Sequence, residues 1–493
     1  MLQLLGHADS LRQQVSPNIG QKRKSEYGQF MTPSAVARFM AALFPPQTRQ
    51  TCHLLDAGAG LGALSSAFLD RLLNHELHFE KVEACAYEID DSLRAHLEAT
   101  LARYAAVLPV QTHVIGGDFI ELATAQCLQG KRHFTHAILN PPYKKINSNS
   151  AHRLTLRRAG IETVNMYSAF VALAVALMAP GGHVVAIIPR SFCNGPYYRP
   201  FRDFILGRAV LRHMHLFDSR SKAFKDDEVL QENIIIMLER SGKQGAVTVT
   251  TSTDDTFSDL ATHTHPFDRI VFPDDPERFI HVPTSLEHNA IEQSAAIRYS
   301  LDDLGIQVST GPVVEFRLKQ YLRDMPEVGT VPLLYPGHFT GQATEWPKLG
   351  SKKPNAIQHN AITSRWLYPN GFYCVVRRLS SKEERRRIMA GVIDPEAFNG
   401  AKHLGLENHL NVFHEGKQGL PENLARGLAV FLNTSAVDEV FRRFNGHTQV
   451  NATDLRLMKY PCRAALIALG KWAKQCTAPT QDLIDEQLDK LAA

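Results

Sequence analysis

The chain has no hydrophobic run long enough to form a membrane helix. Its longest, Ala169 to Pro180, falls well short of the ~20 residues that span a bilayer. Cysteine is sparse and scattered: seven residues at positions 52, 85, 127, 193, 374, 462 and 476, with no C-x-x-C pair. That spacing supports neither a disulfide framework nor a zinc site, and it suits a reducing compartment. The segment Met1 to Gln14 lacks the apolar core of a secretory signal. A strong charge of either sign is also missing, since the net charge is +4 with 44% hydrophobic and 21% charged residues. Composition therefore points to a globular cytoplasmic protein with no membrane partner and no metal.

A chain of 493 residues is too long for one ordinary core, which makes two domains the expectation. Thr32-Pro33 is expected to open a helix, with Thr32 as its cap and Pro33 as its first residue. Pro45-Pro46 ends it. A strand over 53–55 is followed by Asp56-Ala57-Gly58-Ala59-Gly60-Leu61-Gly62 and a helix. Strands over 82–87, 111–115, 136–139 and 183–188 follow, with helices between them over 91–104 and 166–178. Such alternation implies a doubly wound, mostly parallel sheet with right-handed crossovers. Strands over 210–217 and 233–238, separated by a charged loop, predict a hairpin that puts an antiparallel strand at the sheet edge. After Arg240 the pattern changes to short strands and many turns, and 250–283 reads as a Thr-, Asp- and Pro-rich linker. The expected division is 1–245 and 246–493, the second part being α+β.

The chemistry concentrates at Asn140-Pro141-Pro142-Tyr143, where a buried apolar strand ends. Two prolines remove two N–H donors and leave rigid carbonyls free to accept. An amide, a fixed carbonyl and an aromatic ring together suit a flat ligand bearing an amino group. Gly58, Gly60 and Gly62 let a ligand approach a helix N-terminus closely. The acids Glu88 and Asp118 end the next two strands, where one can hold a ribose and the other an adenine amino group. Alone, the glycines are equally a structural turn, and a lone acid is more often a helix cap or a surface group. Three such groups at successive strand ends describe an adenosine pocket. The segment Lys144 to Arg158 carries five basic residues and no acid, which suits a polyanion.

These motifs resemble the adenine-N6 amino-methyltransferases of DNA, in the order of their gamma group. The residues carrying the resemblance are Gly28-Gln29-Phe30-Met31-Thr32-Pro33, Asp56 to Gly62, Glu88, Asp118 and the NPPY motif. The resemblance covers about residues 20–240 and implies a seven-stranded methyltransferase sheet that binds S-adenosylmethionine. It implies that Phe30, Thr32 and Pro33 line the methionine end, with Asp56, Gly58 and Gly60 close to the cofactor. It places Glu88 on the ribose, and Asp118 with Phe119 on the adenine. Asn140 and the Pro141 carbonyl would bond the target amino group of a flipped base, with Pro142 beside them, Tyr143 stacked on the base and Phe224 on its other face; Phe217 competes with Phe224 for that role. The C-terminal part resembles the recognition regions of restriction–modification methylases of the PstI/BsuBI type, through Val308 to Val314 and Gly446 to Asn451. Arg317, Arg377, Arg378, Lys402 and Gln449 are its candidate DNA contacts. The resemblance implies double-stranded DNA as partner and a separately encoded restriction endonuclease. Rival readings are a protein glutamine methyltransferase, which shares NPPY, an RNA adenine methyltransferase, and a DNA-binding specificity subunit without activity.

Overall fold

The computed structural model describes residues 5–15, 31–46, 50–217, 232–286, 289–340, 343–398, 400–476 and 479–492. Phe30 and Phe224 lie outside these residues. The chain forms two compact units, Met1–Leu286 and Glu287–Ala493.

The first unit is built on a sheet of nine strands. They are β1 (Thr51–Ala57), β2 (Lys81–Glu88), β3 (Val110–Gly116), β4 (Phe134–Leu139), β5 (Met178–Pro189), β6 (Ala209–Phe217), β7 (Asn233–Arg240), β8 (Val247–Ser252) and β9 (Ala261–His265). Their spatial order is β3-β2-β1-β4-β5-β7-β6-β8-β9. Strands β3, β2, β1, β4 and β5 pair in parallel. All six residues of β4 are buried, as expected of a central strand covered on both faces.

Two helical layers cover the sheet. On one face lie α1 (Leu5–Val15), α2 (Ser34–Ala42), α3 (Ala63–Leu73) and α4 (Asp91–Ala105). Val36, Met40, Phe68 and Leu97 there share a core with Leu54, Ile138 and Ile187 of the sheet. The opposite face is covered by α5 (Phe119–Leu128), α6 (Ala151–Arg158), α7 (Met166–Leu177) and α8 (Arg199–Leu206). Ile120, Phe170, Leu173 and Phe201 pack there against Leu139, Ala186 and Ile188. Consecutive strand residues thus feed opposite cores, as the period of two requires.

Four expectations need correction. The strand β7 is not at the edge: it lies between β5 and β6, antiparallel to both. The sheet has nine strands rather than seven, because β8 pairs in parallel with β6 and β9 runs antiparallel to β8. The unit therefore extends past 245 to Leu286. The segment read as a linker buries Ile270, Val271, Ile280 and Val282 in the same core as α7. It belongs to the fold because it supplies apolar side chains the sheet would otherwise lack.

The second unit is α+β. A four-stranded antiparallel sheet is formed by β10 (Gln307–Thr310), β11 (Tyr373–Arg377), β12 (Ala390–Ile393) and β13 (Leu410–His414), in the order β10-β13-β11-β12. A second sheet of five short strands shares its core through Leu334, Leu404 and Leu406. Helices Glu422–Leu432 and Arg463–Gln475 pack closely against each other.

Candidate active site

The carboxyl ends of β1, β2, β3 and β4 surround a cavity of about 330 Å³. Gly58 and Gly60 adopt positive φ, +77° and +57°, so the turn after β1 folds back tightly before α3 begins. The N–H groups of Gly58 and Ala59 donate to the Tyr87 carbonyl at 2.9 Å, which ties this turn to the end of β2. Gly60 donates its N–H to Glu88 Oε2 at 2.8 Å, and Asp90 donates to Oε1 at 2.8 Å. Both Glu88 oxygens are thus oriented while the side chain still lines the cavity. Burial pushes the Glu88 carboxyl above the ordinary carboxylate range, and these backbone bonds oppose the shift.

Asp118 caps α5 by accepting from the N–H of Ile120 at 2.8 Å through Oδ1. Its Oδ2 lies 2.7 Å from His152 Nε2 on α6. Next to it, the Phe119 ring packs at 4.8 Å from Phe170 and at 5.1 Å from Tyr87. All of these side chains line the cavity, so a flat ring entering it meets an aromatic wall and a carboxylate.

Asn140 marks the other end. Its Nδ2 donates to Thr32 Oγ1 at 3.0 Å, and its Oδ1 accepts from the Tyr143 hydroxyl at 3.3 Å. Thr32 therefore does not cap the helix that follows. Pro33 occupies the cap position of α2 with no side-chain bond, and the Thr32 hydroxyl is used to orient the amide. The chain thereby links a segment before β1 to a strand end 108 positions later. Thr32→Ala is expected to lower turnover about tenfold, the value of one hydrogen bond near 1.4 kcal/mol, with cofactor affinity nearly unchanged. Steady-state kinetics and calorimetry on the same variant check this.

The sequence matches a family model described as Eco57I restriction-modification methylase over residues 64–224. Type II methyltransferase M.BsuBI of Bacillus subtilis is 52% identical over 499 residues, covering 100% of this chain and 98% of the relative. Type II methyltransferase M.PstI of Providencia stuartii is 42% identical over 468 residues, covering 93% and 91%. The chain belongs to the type II DNA methyltransferases of restriction–modification systems. In fold it is also similar to the chain of a DrdV–DNA complex solved by electron cryomicroscopy. That match has a TM-score of 0.50 and 12% identity, and covers 95% of this chain and 59% of that one.

Within this type II methyltransferase, the residues expected at the site do not all face the cavity. Thr32, Gly58, Gly60, Glu88, Asp118, Phe119, Asn140 and Pro142 line it. Asp56, Pro33, Pro141 and Tyr143 are not among its lining residues. Asp56 is buried behind the glycine turn, where Oδ2 accepts from Ser65 N at 3.1 Å and from Ser65 Oγ at 2.6 Å. It anchors the start of α3 and so positions the glycines. The half-buried Tyr143 ring packs on the core, and burial of its hydroxyl pushes its pKa up. Phe217 is also buried in a core, on the face of α2, and is not an open stacking partner.

Burial raises the Asp56 carboxyl to about 7, against the lowering effect of the Ser65 bonds. The folded state then binds this proton more tightly than the unfolded chain. Its stabilising contribution is complete below the ordinary carboxylate range and is lost as pH rises toward 7. Asp56→Asn removes that titration, so its Tm should fall less than that of the wild type between pH 5 and pH 7. Parallel thermal melts across that window measure the difference.

Sequence reasoning missed Arg12, Met31, Ile89, His152 and Phe170, which also line the cavity. Ile89 was within reach, since an apolar residue directly after an acidic strand end is 43% exposed here. His152 was not, because its contact with Asp118 spans 34 positions and two different elements. The basic stretch is also less free than its composition suggests. Arg153 and Arg157 both pair with Glu162, while Lys144 and Lys145 line the cavity.

Proposed function

We propose that this protein is a site-specific, adenine-specific DNA methyltransferase. It transfers the methyl group of S-adenosylmethionine to the 6-amino group of an adenine flipped out of duplex DNA. In the cytoplasm it protects that sequence from a separately encoded restriction endonuclease. The observation that carries this reading is the single cavity joining an adenosine-type pocket, Glu88 and Asp118 with Phe119, to the oriented amide of Asn140.

The residues fit the cofactor. Glu88 would hold the ribose hydroxyls, Asp118 would accept from the adenine amino group, Phe119 would pack on the ring, and Gly58 and Gly60 would leave room for the cofactor beside the turn. When bound, S-adenosylmethionine supplies a methyl group on a sulfonium, a strong leaving group.

The target amine is a poor nucleophile, since its lone pair is delocalised into the adenine ring. Asn140 Oδ1 and the Pro141 carbonyl accept its two N–H bonds and localise that pair on nitrogen. Thr32 holds the amide in the orientation that presents the oxygen. The methylated nitrogen becomes positively charged and strongly acidic and releases its extra proton to water, so no general base with a shifted pKa is needed, and positioning supplies most of the acceleration. Extruding the base costs a few kcal/mol of stacking, offset by packing in the pocket. Lys144 and Lys145 beside the cavity suit the flanking phosphates.

The test offers methyl-labelled S-adenosylmethionine with mixed-sequence duplex DNA, RNA of the same sequence and a glutamine-bearing protein substrate. Label is expected in duplex DNA alone. Label only in the protein would make the glutamine methyltransferase the right reading.

A further inference from the structure

In the second unit, three turns meet at one side chain. Arg378, just past the end of β11, donates its N–H to the His409 carbonyl at 2.8 Å and its Nη1 to the Asn408 carbonyl at 3.1 Å. Its Nη2 lies 3.5 Å from Gln449 Oε1. The turn 378–381 and the turn 445–451 also pair along their backbones. Val450 N–H donates to the Arg378 carbonyl at 2.8 Å, and Ser380 N–H to the Thr448 carbonyl at 3.0 Å. Gln449, Asn408 and His409 are thereby set side by side.

Beneath these turns lies an unusual amount of buried polarity. Arg387 is 2% exposed and bonds Asn445 Oδ1 at 2.8 Å, Ser380 Oγ at 3.1 Å and the His447 carbonyl. Asn445 also donates to Asp454 at 3.1 Å and to the Gln449 carbonyl at 3.0 Å. Asn411, fully buried, donates to the Val450 carbonyl at 2.7 Å. Glu407, also fully buried, accepts from the N–H of His409 and sits 2.8 Å from His409 Nδ1. Burying such groups is costly unless all are paired, and apolar packing would hold a plain turn at lower cost. The network instead fixes the directions of the exposed tips.

Those tips have the chemistry of base readers. Gln449 is exposed, and its Nε2 has no hydrogen bond among the described residues. His409 is half-exposed, and its Nδ1 is committed to Glu407, so the ring is held in a fixed orientation with Nε2 as its remaining polar atom. A glutamine amide presents the donor–acceptor pair that matches an adenine edge in the major groove. Rigid support beneath a polar reader reduces the entropy lost on binding.

We propose that Gln449 and His409 form a base-reading edge for duplex DNA, with Arg378 and Arg387 as positioning residues. The proposal rests on the DNA methyltransferase reading and adds to it the residues that set its sequence preference. Gln449 and His409 discriminate between base pairs. Arg378 couples the two turns, so that both readers address the same stretch of the groove.

The test uses the full-length enzyme. After the methylated sequence is mapped, kcat/KM is measured on that duplex and on duplexes in which each base pair is replaced in turn. Gln449→Ala and His409→Ala are expected to lose about 10- to 100-fold on the native duplex. At one replaced position each variant should lose its discrimination, accepting substituted and native duplexes within about threefold of each other. S-adenosylmethionine affinity should be unchanged. Gln449→Glu, which keeps the size and removes the donor, should behave like the alanine variant. Equal losses on every duplex, or unaltered discrimination, would overturn the proposal. A wild-type enzyme that methylates no duplex would instead overturn the DNA methyltransferase reading itself.

Discussion

Asn140→Ala is expected to lower turnover at least ~100-fold, the scale seen when one key polar stabiliser is removed from a reacting centre. Cofactor affinity should stay near the wild-type value. The asymmetry follows from the position of Asn140. Its amide is held by Thr32 on one side and approached by the Tyr143 hydroxyl on the other, at the end of β4. Glu88 and Asp118, proposed above to hold the cofactor, belong to β2 and to the cap of α5. In the proposed reaction, loss of the amide leaves only the Pro141 carbonyl to accept from the target amine, so the nitrogen lone pair would stay delocalised. Single-turnover transfer and calorimetric titration of S-adenosylmethionine separate the two effects. Turnover within a few-fold of wild type would remove Asn140 from the chemistry, and a parallel loss of cofactor binding would make it a cofactor residue.

The second large effect concerns where the first unit ends. A chain cut after Arg240 is expected to aggregate, whereas one cut after Leu286 should be soluble and bind S-adenosylmethionine. The segment between the cuts contributes β8 and β9 and buries Val247, Val249, Ile270, Val271, Ile280 and Val282. At about 1.5–3 kcal/mol for each buried side chain, their loss matches the whole ~5–15 kcal/mol that holds a typical domain together. The cut also bares the edge of β6, where β8 pairs from His213 to Phe217, and an open edge recruits other chains. The longer fragment should bind DNA with little sequence preference, losing the ~1000-fold or greater advantage of a specific site. Light scattering, calorimetry and salt-dependent DNA titrations test each step. A soluble, cofactor-binding fragment ending at Arg240 would show that the added strands are dispensable.

The features most legible in the sequence were those whose chemistry is local. A glycine turn after a strand, an acid ending the next strand and a proline pair after a buried run each reveal their place within a few residues. The helices expected over 91–104 and 166–178 are found at Asp91–Ala105 and Met166–Leu177. What escaped notice was decided by partners far along the chain. The Thr-rich stretch read as a linker from Thr250 begins inside β8 (Val247–Ser252), whose pairing with β6 makes it a buried strand. The position of β7 depends on which neighbour accepts its hydrogen bonds, and no local pattern states that. Thr32 has the signature of a helix cap, but a distant amide takes its hydroxyl. The basic stretch Lys144 to Arg158, for which no helix was expected, contains one, since Ser150 caps it through the Arg153 N–H while Arg153 and Leu156 turn inward.

The most direct test of the account is the chemical identity and position of the product. Duplex DNA exhaustively methylated by the enzyme is digested to nucleosides for mass spectrometry, and a second sample is sequenced to locate the modified base. N6-methyladenine confined to one defined sequence is the expected product. Methylcytosine of either kind, or methylation spread over unrelated sequences, would contradict it.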